Sequence, residues 1–245
     1  MINTLPELLL IHIFSYLSEG ERICRMTLVC KKWYELIYSA AVWSKVNFDY
    51  QRRITSDILE KFIYPGTAEI FLTECHYLKG SDLVHILSRC RNLKILALAW
   101  IGYRKETVPL DFTEVSHIRN LHFLDLSHCK VTNSVFKMLP LKCPILKVLI
   151  VQDCQEITLE CYITSAFKKH KHLRLLIVAY NLEALSTHCV IELLKYSYNN
   201  VLLDIRGHHF RETDFQDITR EHHDALQRIR LNTDDYQYIM PYSNS

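Results

Sequence analysis

Between Leu5 and Leu17 the chain reads LPELLLIHIFSYL, and only Glu7, His12 and Ser15 interrupt the apolar run. A helix with that pattern is apolar nearly all round instead of along one stripe, as in a helix buried on both sides. Thr4 and Glu7 stand at capping-box spacing and Pro6 falls in the first turn, where its missing N–H costs nothing. The pattern therefore predicts a helix running to about Leu17. Ser18 and Glu21 repeat the capping box before a second helix bearing Ile23, Met26, Leu28 and Val29, and Cys30-Lys31-Lys32-Trp33 opens a third with Leu36 and Ile37. Three short helices, about forty residues in all, bury too little surface to cover the first helix on every side, so its surplus apolar side chains need a partner.

After Trp43 the pattern becomes periodic. L-x-x-L-x-L segments begin at Trp43, Thr67, Leu93, Leu121, Leu146, Leu173, Asn200 and Leu226, and their fourth residues are Val46, Ile70, Leu96, Leu124, Leu149, Leu176, Leu203 and Ile229. The spacing of 24 to 28 residues is that of a stacked strand-plus-helix repeat. Cys75, Cys129, Cys154 and Asn181 fall three places after the last apolar strand position, where a small polar or thiol side chain turns inward. Ser81 is placed to cap a helix bearing Leu83, Ile86 and Leu87, and Thr158 one bearing Tyr162, Ile163 and Phe167. Val190, Ile191, Leu193 and Leu194 mark another. The stretch around Pro109 has no convincing helix, and the register near Asn200 could also be Val201-x-Leu203.

Leu5-Pro6, Ile13-Phe14-Ser15-Tyr16-Leu17, Val29-Cys30-Lys31-Lys32-Trp33 and Trp43 resemble the F-box in order and spacing. That resemblance implies docking on a SKP-type adaptor and, through it, a cullin scaffold. Leu5, Pro6, Leu9, Ile13, Phe14 and Leu17 would face the adaptor, and Val29 and Trp33 would fix the helices that present them. The periodic part, with Cys90 and Cys143 each three residues before the next leucine, is similar to the cysteine-containing subclass of leucine-rich repeats. The expected fold is α/β: a three-helix F-box over residues 2–46 fused to a leucine-rich-repeat horseshoe over 47–232, with parallel strands on its concave face and helices on its convex face, then a tail over 233–245. The function implied is a non-catalytic substrate receptor of an SCF-type ubiquitin ligase; the alternative is a repeat scaffold or inhibitor uncoupled from ubiquitin transfer. No Gly/Ser/Pro-rich linker separates the two parts, so they should be fused rigidly.

Composition narrows the setting. A 245-residue chain that is 49% hydrophobic can bury a sizeable core, and a net charge of +2 without a basic run gives nucleic acid nothing to hold. Nine cysteines without a C-x-x-C pair read as buried free thiols in a reducing compartment, hence a cytoplasmic location with the nucleus left open. No apolar run is long enough for a membrane span, and Pro6, Glu7 and His12 interrupt what could pass for a signal peptide, which is taken as retained. No catalytic constellation, metal site or cofactor cradle is evident. His208-His209 and His222-His223 are adjacent residues that point apart, Asp234-Asp235 lies in a polar tail, and the five glycines form no phosphate loop.

The remaining candidate chemistry is recognition. Side chains alternating with the buried strand leucines should line the concave face, where Ile95, Phe123, Val148, Ile150, Leu175 and Ile177 would form one exposed apolar patch beside Asp125. Trp100 and Tyr180 would supply aromatic anchors at its rim. Arg206, Arg228 and Arg230 would make a basic end suited to an acidic or phosphorylated segment of an unknown protein substrate. The tail, with Tyr236, Tyr238, Ile239 and Met240, is an alternative cover for the same patch.

Overall fold

The fourth residue of every repeated segment becomes the register point of a short strand. In the computed structural model, which describes residues 4–101, 110, 112, 114–115, 118–154, 157, 170–181, 186–196, 201–208, 212–221 and 228–230, eight strands form one sheet in chain order, every neighbouring pair parallel. They are β1 (Lys45–Asn47), β2 (Glu69–Phe71), β3 (Ile95–Ala97), β4 (Phe123–Asp125), β5 (Val148–Ile150), β6 (Leu175–Ile177), β7 (Leu202–Asp204) and β8 (Ile229–Arg230). Val46, Ile70, Leu96, Leu124, Leu149, Leu176, Leu203 and Ile229 pair in one row across the sheet and are all buried. This settles the register near Asn200, because Leu203 stands in the row.

Parallel neighbours need a crossover between them, and helices supply most of these. In chain order the helices are α1 (Glu7–Ser15), α2 (Glu19–Cys24), α3 (Lys31–Ile37), α4 (Ser56–Leu59), α5 (Gly80–Ser88), α6 (Asn133–Lys142), α7 (Thr187–Tyr196) and α8 (Glu212–Glu221). The helix expected after Thr158, the tail 233–245, and His209, His222, His223, Asp234 and Asp235 lie outside the described residues. Three local expectations change. Pro6 itself is the N-cap of α1, so the Thr4–Glu7 box, which needs the cap at Thr4, is not what starts the helix; its last residue is Ser15. α5 is capped at Lys79, leaving Ser81 inside it. α6, with Pro140 in its last turn, had no reading from the sequence. The Ser18–Glu21 box does form, with Glu21 N–H donating to Ser18 Oγ at 3.3 Å and Ser18 N–H to Glu21 Oε2 at 3.0 Å.

The inward thiols behave as expected. Cys75, Cys129 and Cys154 donate from Sγ to the carbonyls of Phe48, Leu98 and Leu126, one repeat back, at 3.2, 3.0 and 3.1 Å. Asn181 does the same to Val151 O at 3.0 Å. Burial pushes the Cys75 and Cys154 thiols up to about 12, so they stay protonated donors.

One continuous apolar cluster runs from Leu10 in α1 to Ile229 in β8. Trp43 lies where the helical part meets the sheet. It is fully buried, its indole N–H donates to Ile37 O, and its carbonyl accepts from Thr67 Oγ1 at 2.9 Å. Around it stand Phe48 and Phe62, with Tyr38 stacked on Phe62. Tyr64 OH donates to Tyr38 O at 2.6 Å and Ala68 N–H to Ser44 O at 2.8 Å.

A second cluster occupies the opposite face of the sheet. Phe71, Ala97, Phe123, Ile150, Leu175, Ile177 and Ala179 are buried there, with Ile95, Val148 and Leu202 packed at its margin. The exposed patch expected from the sequence is therefore corrected: its central residues are out of solvent.

Candidate functional site

α1 divides its apolar side chains between two tasks. Leu10 and Phe14 are fully buried, and Phe14 meets Trp33 of α3 edge to face at 5.0 Å between ring centres. Leu5 and Leu17 are half-buried against the core. Leu9 is 50% exposed and Ile13 38%; Leu8 and Tyr16 of the same segment, and Leu28 and Val29 after α2, are also exposed. Pro6 is exposed at the cap. Two assignments change accordingly. Phe14 belongs to the interior of the domain, because its ring is needed to fill the space against Trp33. Val29 points to solvent and does not fix a helix, a task that Trp33 does perform. Leu8, Tyr16 and Leu28 were missed by residue, although for Leu8 and Tyr16 the all-round apolar pattern of the first helical segment was the signal.

Arg22 holds this unit together. Its buried guanidinium donates from Nε to Phe14 O at 2.8 Å, from Nη2 to Ser15 O at 2.9 Å and from Nη1 to Val42 O at 3.4 Å, and it lies 5.3 Å from the centre of the Trp43 ring. It thus supplies a donor to Ser15 O and a second one to Phe14 O, which also accepts from Leu17 N–H at 3.1 Å, and ties the end of α1 to the segment entering β1. Burial lowers its pKa from the ordinary guanidinium value. Arg22→Ala should cost about 3 kcal/mol, since it removes three hydrogen bonds of one buried cation and leaves Ser15 O and Val42 O without that donor. Arg22→Lys should recover only part of this, because one ammonium cannot span the three acceptors. Thermal melting of the three proteins checks both.

On the sheet, the partner residues expected from the sequence are dispersed among different environments. Phe123, Asp125, Ile150 and Ile177 are buried, and Ile95 is half-buried. Asp125 accepts from Ser127 N–H at 2.9 Å and Ser127 Oγ at 2.6 Å. Arg206 is corrected as a basic anchor, since its guanidinium is bound by the fully buried Asp204, Nη2 to Oδ2 at 3.0 Å. Arg228 is half-buried and donates to Leu194 O at 3.4 Å; the Arg230 side chain lies outside the described residues. Of the three, Arg206 and Arg228 are thus engaged by groups of the chain itself.

What the sequence did not reveal is a row of turns just past the strands. Tyr50, Glu74, Trp100, His128, Asp153, Tyr180 and Gly207 each stand four residues after the register point, and all have positive φ, between 50° and 79°. Each of the first six donates its N–H to a carbonyl of the next repeat, Asp153 to Ala179 O at 3.0 Å for example, so the left-handed turn extends the ladder past the strand. Trp100 stacks on His128 with ring centres 3.9 Å apart, and His128 Nδ1 lies 2.9 Å from Asp153 Oδ2. The Tyr180 ring covers Gly207, where a β-carbon would collide with it. With neither Gly nor Asn at the first six positions, nothing in the sequence advertised the conformation.

Among the described residues no group of three or more His, Cys, Asp or Glu could hold a metal ion, and no helix is long and apolar enough to cross a membrane. Compared with protein families, the chain matches the F-box-like model over residues 2–49, which takes in α1 to α3 and the start of the sheet. A helical unit with Phe14, Trp33 and Arg22 inside and Leu9, Ile13 and Val29 outside is therefore, over residues 2–49, an F-box-like domain.

Proposed function

We propose that this chain is a non-catalytic substrate receptor of an SCF-type ubiquitin ligase. In this reading α1 and its neighbours dock on a SKP-type adaptor, which joins the chain to a cullin scaffold, and the sheet part captures a protein substrate. The carrying observation is that an F-box-like domain leaves Leu8, Leu9, Ile13, Tyr16, Leu28 and Val29 exposed while its core is already filled. Apolar groups grouped in this way are the mark of a partner surface. We read the sheet part as leucine-rich repeats, supported by the period of 24 to 28 residues and by the single register row from Val46 to Ile229. Buried free cysteines support a reducing, cytoplasmic or nuclear setting.

The test is adaptor capture by Leu9→Asp/Ile13→Asp. Each apolar side chain withheld from an interface forfeits about 1.5 to 3 kcal/mol, and an unpaired carboxylate in its place costs more, so micromolar capture should vanish. Both positions are exposed, so the melting temperature should hardly move. Undiminished capture at normal stability would defeat the assignment of this surface.

A further inference from the structure

We infer that the turn row Trp100, His128, Asp153 and Tyr180 is a docking surface for a lysine or arginine side chain carried on an extended segment of a partner protein. The inference rests on the reading of the sheet part as the cargo-binding part. It moves recognition from the buried sheet face to the turns beside it.

Three observations lead there. The first is exposure: the Asp153 side chain is 37% exposed and Tyr180 45%, whereas Ile150 and Ile177 on the adjoining strands are only 2% exposed. The second is charge. The strand residues of β3 to β6 and the left-handed turn residues after them include no Lys or Arg; their carboxylates are Asp125, which is buried, and Asp153, and the exposed Lys130 stands two residues past His128. The cations at either end are engaged, Arg52 with Glu74 at 2.8 Å and Arg206 with Asp204 and, at 5.9 Å, with one face of the Tyr180 ring. On the turn row itself the exposed charge is the Asp153 carboxylate, which attracts a cationic partner and repels an acidic one. The third is the arrangement itself. Neighbouring strands lie about 4.8 Å apart, so consecutive turn residues stand one side-chain width from each other. Asp153 has the His128–Trp100 stack on one side and, on the other, the turn of Tyr180, whose ring lies over Gly207. A carboxylate has about four acceptor sites, of which His128 uses one, so a partner's N–H donors can join it. Aromatic faces beside that carboxylate favour a cation further. The backbone bond at each turn needs only the left-handed conformation, which Asn or Gly adopts at less cost. It does not account for the rings held there.

The test uses the full chain co-expressed with the adaptor and fluorescent Gly/Ser peptides that carry Arg, Lys or Glu at otherwise identical positions. Arg and Lys peptides should bind about tenfold or more tightly than the Glu peptide, with the difference shrinking as salt rises. Asp153→Asn should erase that preference, and Tyr180→Asn should reduce it. Asn tolerates the left-handed turn, so both variants should melt like the parent. Equal binding of Arg and Glu peptides, or an unchanged preference in Asp153→Asn, would overturn the inference. Adaptor capture on the same samples separates the two readings. Capture with no preference for cations removes this surface alone; a preference for cations without capture supports the surface and removes the ligase reading.

Discussion

Ile150→Asp/Ile177→Asp should fail to fold. The two side chains are register partners on β5 and β6, and both are buried in the second apolar cluster. Each substitution forfeits about 2 to 3 kcal/mol of apolar burial and places a carboxylate where water cannot solvate it, at several kcal/mol apiece, with the two charges beside one another. A domain of ordinary stability has about 5 to 15 kcal/mol to lose. Circular dichroism at neutral pH should show loss of the cooperative melt, while Ile150→Val should cost only about 1 kcal/mol. A double mutant that melted like the parent would mean that this face is open to solvent and that the apolar patch is a docking surface after all.

The same two positions show why one half of the fold was readable and the other was not. The row from Val46 to Ile229 could be picked out because an inward residue in each repeat must be apolar, and eight repeats of that demand leave a period in the sequence. Whether the alternate residues face water is not encoded by that period. Val148-Leu149-Ile150-Val151 and Leu175-Leu176-Ile177-Val178 are unbroken apolar runs, which suit a strand covered on both faces. Read with a solvent-facing concave side assumed, the same runs look like an exposed patch. On α1 the total of apolar residues was legible, but their division was not. That Phe14 goes inward and Leu9 outward depends on where Trp33 and Arg22 arrive from distant parts of the chain. The Arg206–Asp204 pair was hidden for a related reason, since two residues on one strand end can serve each other before they serve a partner.

Acid should destabilise the protein through one histidine more than through its neighbours. His170 stands three residues before Leu173, the place that Cys90 and Cys143 fill in other repeats, and it is 7% exposed with neither ring nitrogen hydrogen-bonded. Burial, with a smaller push from His172, brings its pKa from 6.5 down to about 4. The unfolded chain therefore takes up a proton near pH 6.5 that the folded chain refuses until about pH 4. Stability is unaffected above that window, falls as pH drops through it, and is lower by roughly 3 kcal/mol at the bottom, at about 1.36 kcal/mol per tenfold difference. His170→Cys should remove this component and be neutral or stabilising at pH 7, because the thiol suits the apolar site better than an unpaired imidazole. Denaturant midpoints of the two proteins between pH 7 and pH 4 are the measurement. Parallel curves would mean that the imidazole finds a partner or water.

The family match stops at residue 49, but the packing around Trp43 has no edge there. Its carbonyl is satisfied by Thr67, its ring lies against Phe62, and Tyr38 accepts from Tyr64, all from the far side of that boundary. The sequence domain is thus not a detachable part. A fragment ending at 49 would leave an indole face uncovered and the carbonyls of Tyr38, Trp43 and Ser44 without these donors. Conversely, an insertion between Asn47 and Glu69 would disturb the angle at which α1 is presented, although no residue of α1 had changed. The stretch that joins helices α1–α3 to the sheet therefore tolerates a change of length less well than an exposed position on either part.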